Sequence, residues 1–445
     1  MSHNRIELLI SDIEKQENRE FLRAWNLDSP AITAQHDGKL VIAGWAVPKD
    51  PYIVASIEIV NGEYLLKRTP VCVPRPDVEQ HFNILETSSQ KFGFHVEVGT
   101  LGLPKNCTLT IKLNLYNPKD QSRTKIEISK IKGKNRNHTR INTKYQPTML
   151  TAIGRSGTTL LMSMLSEHKG ILTSNFYPYE VKQTSYWIHL LKVLTDPADF
   201  INSSHPDSFE RNFDFIGHNP YSHQESVRQH LNPGALESLY RKKYSEEFIK
   251  FCTARIDDFY ELIEKTDKKY GAKLFAEKFL PSHIQSIIED IYTAPKEIIL
   301  TRDFRDMICS ARAFNEKRNS QGFGRDRATD EQDWVRRVFA SGARSLALAW
   351  SDRKNTALHI RYEDLVTSPE TQLKRIFEHI NVESNPKIIS DISGRIMHSK
   401  NKSLHQTSQS TDESISRWKK DLPDELLEYC NESMKHELSL FGYSS

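Results

Sequence analysis

Residues 154–159, Gly-Arg-Ser-Gly-Thr-Thr, have the composition and spacing of an anion-binding loop. A short apolar run at 148–153 precedes them and an apolar-periodic run at 158–165 follows, which predicts a strand, a glycine-bounded turn and a helix. Such a turn directs backbone N–H groups and the positive end of the helix dipole at one point. The arginine adds a guanidinium suited to phosphate or sulfate. The residues expected to bind the anion are Gly154, Arg155, Ser156, Gly157, Thr158 and Thr159.

This loop differs from the nucleotide-binding P-loop, Gly-x-x-x-x-Gly-Lys-Ser/Thr. Thr158 stands after the second glycine in place of lysine, and the two glycines are only three positions apart. A Mg-dependent ATPase needs that lysine on the β- and γ-phosphates. The sequence therefore disfavours an ATPase or a kinase, and a strand–turn–helix of an unrelated α/β protein remains the alternative.

A second candidate anion site follows a later strand. Residues 297–301, Glu-Ile-Ile-Leu-Thr, read as a strand that runs directly into Arg302, after which Asp303 is a good residue to begin a helix. Ser310 lies eight positions after Arg302, about two helical turns on, so both side chains can bind one phosphate. The alternative is an ion pair between Arg302 and Asp306, with Ser310 as a small packing residue.

The elements around these motifs predict an α/β fold from residue 147 onward. Residues 273–277 (Lys-Leu-Phe-Ala-Glu) and 358–362 (Leu-His-Ile-Arg-Tyr) read as further strands, and helical patterns alternate with them. Such alternation calls for a parallel sheet with helices on both faces. Residues 175–270 are mostly helical, and we expect this insertion to shape the site of a second substrate.

The chain before residue 147 has a different character. Residues 4–27 are expected to form one amphipathic helix within an N-terminal segment 1–28, because apolar residues recur there at helical spacing. Residues 29–133 contain short alternating β-branched runs with turn residues between them, which predict a β-sandwich of six to eight strands. The basic, polar stretch 134–146 is expected to be a linker to the domain 147–445.

The amino-acid composition limits the classes of function that the protein can have. The 445 residues are 27% charged and 38% hydrophobic with a net charge of +3, which is typical of a globular protein and does not point to nucleic acid. Five scattered cysteines predict neither disulfides nor a zinc site, and no metal-ligand spacing is seen among the histidines. With neither a signal peptide nor a membrane-spanning run evident, we expect a cytoplasmic protein. The oligomeric state stays open.

Four ordered motifs resemble the sulfotransferases that use 3′-phosphoadenosine 5′-phosphosulfate (PAPS). They are the loop 154–159, the Arg302–Ser310 spacing, the stretch 360–365 (Ile-Arg-Tyr-Glu-Asp-Leu) and the stretch 414–420 (Ser-Ile-Ser-Arg-Trp-Lys-Lys). The resemblance covers roughly residues 147–440. The chain departs from cytosolic members of the family at 409–412, where Gln-Ser-Thr-Asp stands in place of their Arg-Lys-Gly triplet. The β-domain resembles accessory modules fused to bacterial glycan-modifying transferases.

The resemblance implies roles for particular residues. The loop would bind the 5′-phosphosulfate, Arg302 and Ser310 would bind the 3′-phosphate, and Arg417 is a further nucleotide candidate. Arg155 and Lys278 would stabilise charge on the leaving phosphate. Glu180 is the first candidate for the base that takes the acceptor proton. The other candidates for the base are Glu277, His168, His218 and His223.

The prediction is therefore a PAPS-dependent sulfotransferase that acts on a hydroxyl or amine, most readily of a glycan. A tyrosyl-protein or small-molecule acceptor is the alternative within this class. A non-catalytic nucleotide- or glycan-binding protein is the alternative from another class, and a nucleotide kinase ranks below it.

Overall fold

The structure is a computed structural model that describes residues 7–84, 91–135, 140–197, 239–397 and 412–443. These residues form two compact units. The first unit falls within Met1–Ile141, Trp187–Thr253 and Ser286–Ile291, and the second within Asn142–Tyr186, Ala254–Gln285 and Tyr292–Ser445.

The N-terminal part of the first unit is built from antiparallel strands. Its strands are β1 (Glu7–Lys15), β2 (Leu22–Ser29), β3 (Gln35–Asp37), β4 (Lys39–Pro48), β5 (Ile53–Asn61), β6 (Tyr64–Pro70), β7 (Gly93–Gly99), β8 (Asn106–Tyr116) and β9 (Arg123–Asn135), with the short helix α1 (Pro76–His81). One sheet has the order β3-β1-β9-β8-β5-β6 and the other β2-β4-β7. Buried residues of both sheets form one hydrophobic core, as the β-sandwich prediction requires.

The predicted N-terminal helix is wrong, because residues 7–15 and 22–29 are strands. β1 pairs with both β3 and β9. Leu8 and Ile10, two positions apart, are both buried in the core, which is the period of a strand. A short apolar run fits either period, and here the sheet partners decide.

The predicted linker also begins too early. β9 continues to Asn135, because Lys134 and Asn135 pair with Leu9 and Leu8 of β1. At this end of β9 Lys134 is exposed while Gly133 and Asn135 are buried, as alternate positions of a strand require.

The second unit contains a parallel sheet of five strands. They are β10 (Gln146–Thr151), β11 (Ile171–Leu172), β12 (Leu274–Phe279), β13 (Lys296–Thr301) and β14 (Ala357–Arg361), in the order β11-β12-β10-β13-β14. Every neighbouring pair in this sheet is parallel, so the predicted α/β fold is confirmed.

Helices pack on both faces of this sheet, and alternate residues of β13 show the two layers. Ile298 and Leu300 belong to one hydrophobic core and Ile299 to another. Within the described residues, the α-helices after β10 are α2 (Thr158–Ser166), α3 (Gln183–Thr195), α4 (Ser245–Thr266), α5 (His283–Ile291), α6 (Phe304–Arg318), α7 (Glu331–Trp334), α8 (Ser341–Arg353), α9 (Tyr362–Thr367), α10 (Pro369–His379), α11 (Pro386–Met397), α12 (Trp418–Asp421), α13 (Asp424–Ser433) and α14 (Lys435–Leu440). Among the described residues, no helix has the length and apolar character needed to cross a bilayer.

The strand order creates a switch point beside β10. The chain leaves β10 toward β11 and β12 on one side, then returns past it to β13 and β14 on the other. Ligands of open α/β sheets bind at such points, outside the carboxyl ends of the strands. Both predicted anion sites follow strands that meet there, β10 and β13.

Candidate active site

The loop between β10 and α2 adopts a conformation that depends on a glycine. Gly157 has φ +93° and immediately precedes α2. A Cβ atom there would lie 2.8 Å from Cε2 of Tyr362 and closer still to Cδ2, so both the backbone and the available space exclude a larger residue. Arg155 has a positive φ as well, +69°. The loop thus packs on Tyr362 at the N-terminus of α2, where the helix dipole favours an anion.

The other loop residues differ in burial. Gly154 is exposed, and a Cβ atom there would make an ordinary contact with Phe323 at 3.5 Å. Thr158 and Thr159 are the first two residues of α2. Ser156 is fully buried, and within the described part of the chain its hydroxyl has no hydrogen-bond partner. A buried hydroxyl normally has a partner, so Ser156 fits a role in binding a ligand.

The side chain of Arg155 reaches the second predicted anion site. Its Nε and Nη2 donate to the hydroxyl of Ser310 at 3.0 and 2.9 Å. Its guanidinium carbon lies 4.9 Å from the ring centroid of Phe314 and 5.8 Å from that of Phe323. Burial, and then the charge of Arg302, lowers the pKa of Arg155 to about 10, so the side chain stays protonated at neutral pH.

Arg302 lies at the end of β13 and completes the site. It donates to the carbonyl of Arg155 at 3.0 Å and to that of Ser414 at 2.7 Å, and its guanidinium lies over the ring of Tyr362. Its Nε is buried without a hydrogen-bond partner among the described residues. The alternative ion pair with Asp306 is not the arrangement found here. Arg302 instead lies beside Arg155, and its Nε is the donor that stays unsatisfied within the described part of the chain.

Asp306 holds the C-terminal segment against α6. Its carboxylate accepts from the backbone N–H groups of Ser416 and Trp418 at 2.7 and 3.0 Å. Burial raises the pKa of Asp306 to about 6, against the opposing effect of these donors. Arg417, which lies between Ser416 and Trp418 in the chain, forms an ion pair with Asp421 through its Nε at 2.6 Å. The structure thus places Arg417 in the segment next to the site and gives it an acidic partner.

Lys278 links the loop to the predicted base. Its ammonium donates to the hydroxyl of Thr159 at 3.0 Å, to Glu180 at 2.8 Å and to the carbonyl of Pro178. The side chain is only 6% exposed, and this burial lowers the pKa of Lys278. A lysine in this position can place positive charge beside the N-terminus of α2.

Glu180 is accessible as well as paired. Its side chain is 52% exposed, and its second oxygen lies 3.4 Å from the ammonium of Lys182. Burial opposes its ionisation, but the hydrogen bond and charge of Lys278 together with those of Lys182 outweigh burial and lower the pKa of Glu180. Pro178 does not begin a helix, because α3 starts at Gln183. Glu180 therefore lies in a non-helical connection beside the loop.

Glu277 is placed differently from Glu180. It is buried, and its Oε1 accepts from the N–H and the hydroxyl of Thr184, both at 3.0 Å, and from the hydroxyl of Tyr260 at 2.6 Å. Burial raises the pKa of Glu277. With its acceptor sites occupied by protein donors, Glu277 is not placed to receive a proton from a substrate.

His168 lies at the opposite edge of the sheet. Its Nε2 is 3.0 Å from the carbonyl of Glu383. It lines a cavity of about 740 Å³ together with Gln146, Lys273 and Lys296, which lie at or next to the first residues of β10, β12 and β13. The anion-binding loop is at the carboxyl ends of these strands, so neither His168 nor the cavity belongs to the site. His218 and His223 fall outside the described residues.

Sequence reasoning overlooked two contributions to this site. Tyr362 supports both Gly157 and Arg302 with its ring, and Asp306 anchors the segment that carries Ser414. Both residues lie in stretches that the sequence singled out. Their type does not reveal the role, since a buried tyrosine and a helical aspartate are common in any α/β protein.

These features define the class of α/β proteins with an anion-binding loop at the carboxyl edge of a parallel sheet. The model of the sulfotransferase family matches residues 147–386, which is more than half of the chain, and the chain belongs to that family. A comparison with curated proteins gives no match.

Several solved structures are similar to this chain. The sulfotransferase domain from the curacin biosynthetic pathway is 16% identical with a TM-score of 0.39, over 69% of this chain and 99% of that chain. The sulfotransferase domain of the Synechococcus PCC 7002 olefin synthase is 17% identical with a TM-score of 0.38, over 69% and 99%. A mouse sulfotransferase complexed with PAP is 14% identical with a TM-score of 0.35, over 67% and 89%.

Proposed function

We propose that this protein transfers a sulfuryl group from PAPS to a hydroxyl or amine of an acceptor, and that the acceptor is a glycan. The observation that carries the proposal is the direct contact between the two anion-binding groups of residues. Arg302 donates to the carbonyl of Arg155, and Arg155 donates to Ser310. Residues this close can bind two anionic groups of one nucleoside.

The unsatisfied donors of the site fit this ligand. Ser156 and Arg302 each have a buried polar atom without a partner among the described residues. Phosphate oxygens accept hydrogen bonds from both groups, and the N-terminus of α2 adds its dipole. Under the proposal the loop 154–159 binds the 5′-phosphosulfate, and Arg302 with Ser310 binds the 3′-phosphate.

PAPS, when bound, supplies the sulfuryl group, so that an S–O bond to the acceptor forms as the S–O bond to the phosphate breaks. Arg155 and Lys278 stabilise the negative charge that grows on the leaving phosphate. Glu180 takes the proton of the acceptor hydroxyl, since it is ionised at neutral pH and accessible. The contact of Lys278 with both Thr159 and Glu180 holds these groups together.

The neighbourhood of Glu180 supports a glycan as the acceptor. Phe176 is 73% exposed and Tyr177 is 43% exposed, and both precede Glu180 in the same connection. Exposed aromatic side chains of this kind mark binding surfaces, and tyrosine combines an apolar face with a polar tip. Sugars offer apolar faces and hydroxyl groups together, which suits such a surface.

Nucleotide binding provides the first test. The product nucleotide, 3′-phosphoadenosine 5′-phosphate, should raise the Tm of the protein much more than AMP, because only the former carries a 3′-phosphate for Arg302 and Ser310. A larger stabilisation by ATP with Mg²⁺ would instead support a kinase.

Transfer of labelled sulfate from PAPS to pools of glycans, peptides and small molecules provides the second test. We expect label in the glycan pool. Label only in peptides or small molecules would reject the glycan. An absence of transfer to every pool, with nucleotide binding retained, would favour a non-catalytic binding protein.

A further inference from the structure

The connection between β11 and α3 that carries Glu180 is anchored by two adjacent residues of β12. We call residues 178–184 the base segment. Lys278 binds its first part, through the carbonyl of Pro178 and the carboxylate of Glu180. Glu277, the preceding residue on the strand, binds its last residue, Thr184.

The geometry of a β-strand explains how two adjacent residues of β12 can contact both ends of the base segment. Successive side chains of a β-strand point to opposite faces of the sheet. Glu277 and Lys278 therefore extend in opposite directions from the second half of β12, where they pair with Met149 and Leu150 of β10. A segment that crosses the edge of the sheet is fixed at two points by a backbone that cannot easily move.

The contact of Glu277 with Thr184 is built as a helix cap. Thr184 is the second residue of α3, and its N–H is one of those that a helix leaves without an internal partner. Both carboxylate oxygens of Glu277 lie within reach of this N–H, at 3.0 and 3.2 Å. The negative charge also lies at the positive end of the helix dipole. Glu277 thus sets where α3 begins.

Tyr260 makes the anchor rigid. Its hydroxyl donates to Glu277 at 2.6 Å, and its ring stacks on Phe275 of the same strand at 4.1 Å between centroids and 14° between planes. Tyr260 and Phe275 are both fully buried. The orientation of the Glu277 carboxylate is therefore determined by packed neighbours.

We propose that Glu277 is a positioning residue that fixes the base segment, and through it Glu180, against the anion-binding loop. The part concerning Glu180 rests on the proposed function, in which Glu180 takes the acceptor proton. Without the anchor at Thr184, the contacts of Lys278 and the contact of Tyr179 with Ser166 hold the first part of the segment, its last part is released, and Glu180 samples positions away from the acceptor. Misplacement of a reacting group by about 1 Å can lower a rate about 100-fold.

Two variants at this position separate charge from position. Glu277→Ala removes the acceptor oxygens, whereas Glu277→Gln keeps Oε1, which accepts from both groups of Thr184 and from Tyr260. Glu297→Gln is the matched control, since Glu297 is a buried glutamate of β13, on the far side of β10, whose partners are Thr151 and Arg353. Tyr260→Phe, which keeps the ring packing, replaces the alanine variant if that variant does not fold.

Amide hydrogen exchange of the full-length protein tests the anchor without any activity. In Glu277→Ala, peptides covering 178–186 should exchange at least about 10-fold faster than in the wild type, because the Thr184 N–H loses its acceptor. Peptides of α2 should not change, and Glu297→Gln should protect 178–186 as the wild type does. Glu277→Gln keeps Oε1 but loses the second acceptor oxygen, so its exchange should lie between that of the wild type and that of Glu277→Ala. Tyr260→Phe should give a smaller increase in the same peptides. Unchanged exchange at 178–186 in Glu277→Ala, or in Tyr260→Phe if that variant takes its place, overturns the proposal.

Kinetics test the link to Glu180. We expect Glu277→Ala to lower kcat by about 10- to 100-fold, with affinity for 3′-phosphoadenosine 5′-phosphate within about twofold, and Glu277→Gln to restore most of the rate. Equal losses of kcat and nucleotide affinity would reject a positioning role in favour of general destabilisation. If the wild-type protein transfers no sulfate, the proposed function fails, while the exchange experiment still decides whether Glu277 anchors the segment.

Discussion

The guanidinium of Arg155 donates two hydrogen bonds to the hydroxyl of Ser310, at 3.0 and 2.9 Å. These residues are 155 positions apart in the chain and belong to the two separate anion-binding motifs. The contact is possible because β10 and β13 are adjacent parallel strands whose carboxyl ends meet at one edge. Two sites that the sequence offers independently thus form one site in the fold.

Removal of the Ser310 hydroxyl should weaken binding of the 3′-phosphate specifically. We expect Ser310→Ala to lower affinity for 3′-phosphoadenosine 5′-phosphate about 10-fold, as a hydrogen bond to a charged group contributes about 1.5–3 kcal/mol, and to leave AMP affinity unchanged. Titration calorimetry measures both. Ser163→Ala is the control, because that hydroxyl bonds only to the carbonyl of Leu160 in its own helix. An equal loss for both nucleotides would remove Ser310 from the 3′-phosphate site.

The two glycines of the loop should respond differently to alanine. Gly157→Ala meets a positive φ and the ring of Tyr362, so we expect it to destabilise the protein by about 2 kcal/mol or more and to abolish nucleotide binding. Gly154→Ala makes only an ordinary contact with Phe323 at 3.5 Å, and its effect should stay within about 1 kcal/mol. Urea unfolding with nucleotide titration checks both. Similar losses for the two variants would contradict the loop geometry.

Glu180→Gln should separate catalysis from binding. Loss of a general base lowers turnover by about 100- to 10,000-fold, while affinity for 3′-phosphoadenosine 5′-phosphate should remain within about twofold. Steady-state sulfate transfer and calorimetry provide the two measurements. Unchanged turnover would assign the base to another residue.

The pH dependence of turnover tests the role of Glu180 without replacing Glu180 itself. Turnover needs the ionised carboxylate and is lost as pH falls through its pKa, which Lys278 and then Lys182 lower from the ordinary value of 4.5. Lys182→Met should therefore shift the acidic limb of kcat to higher pH, because one of the charges that lower the pKa is gone. A shift to lower pH, or none, would speak against Glu180 as the group that titrates.

Asp306 should make the folded protein more stable as pH falls, which is opposite to the effect of a carboxylate whose pKa is lowered by folding. Burial raises its pKa from 3.8 to about 6, so between these values the folded protein binds more protons than the unfolded chain. Stability from this group therefore rises as pH falls from 6 toward 4 and is lost as pH rises through the folded pKa.

Comparison of the wild type with Asp306→Asn isolates this effect, since other carboxylates act on both proteins alike. On lowering the pH from 7.5 to 4.5, the wild type should gain about 2 kcal/mol relative to the variant. Tm measured across this range shows the change as a difference between two curves. Parallel curves would mean that the carboxyl group of Asp306 titrates normally.

Local sequence patterns were sufficient to predict the strand, loop and helix around Gly157, and the strand before Arg302 with the helix that begins beside Asp303. The binding of one phosphate by Arg302 and Ser310 stays a prediction. A positive-φ glycine, a helix start and a fixed spacing along a helix depend on neighbouring residues alone, and so do the alternating runs of the β-sandwich. The N-terminal helix was predicted wrongly because a short apolar run fits two periods, and pairing with β9, more than a hundred residues away, selects the strand.

Tertiary structure alone decided which of two glutamates is accessible and which is an anchor. Glu180 and Glu277 have the same chemistry, and sequence reasoning offered both as the base. Burial and hydrogen-bond partners distinguish them: Tyr260 and Thr184 occupy Glu277, whereas Lys278 leaves half of Glu180 exposed. These partners come from elements distant in the chain, so only the packed structure brings them together.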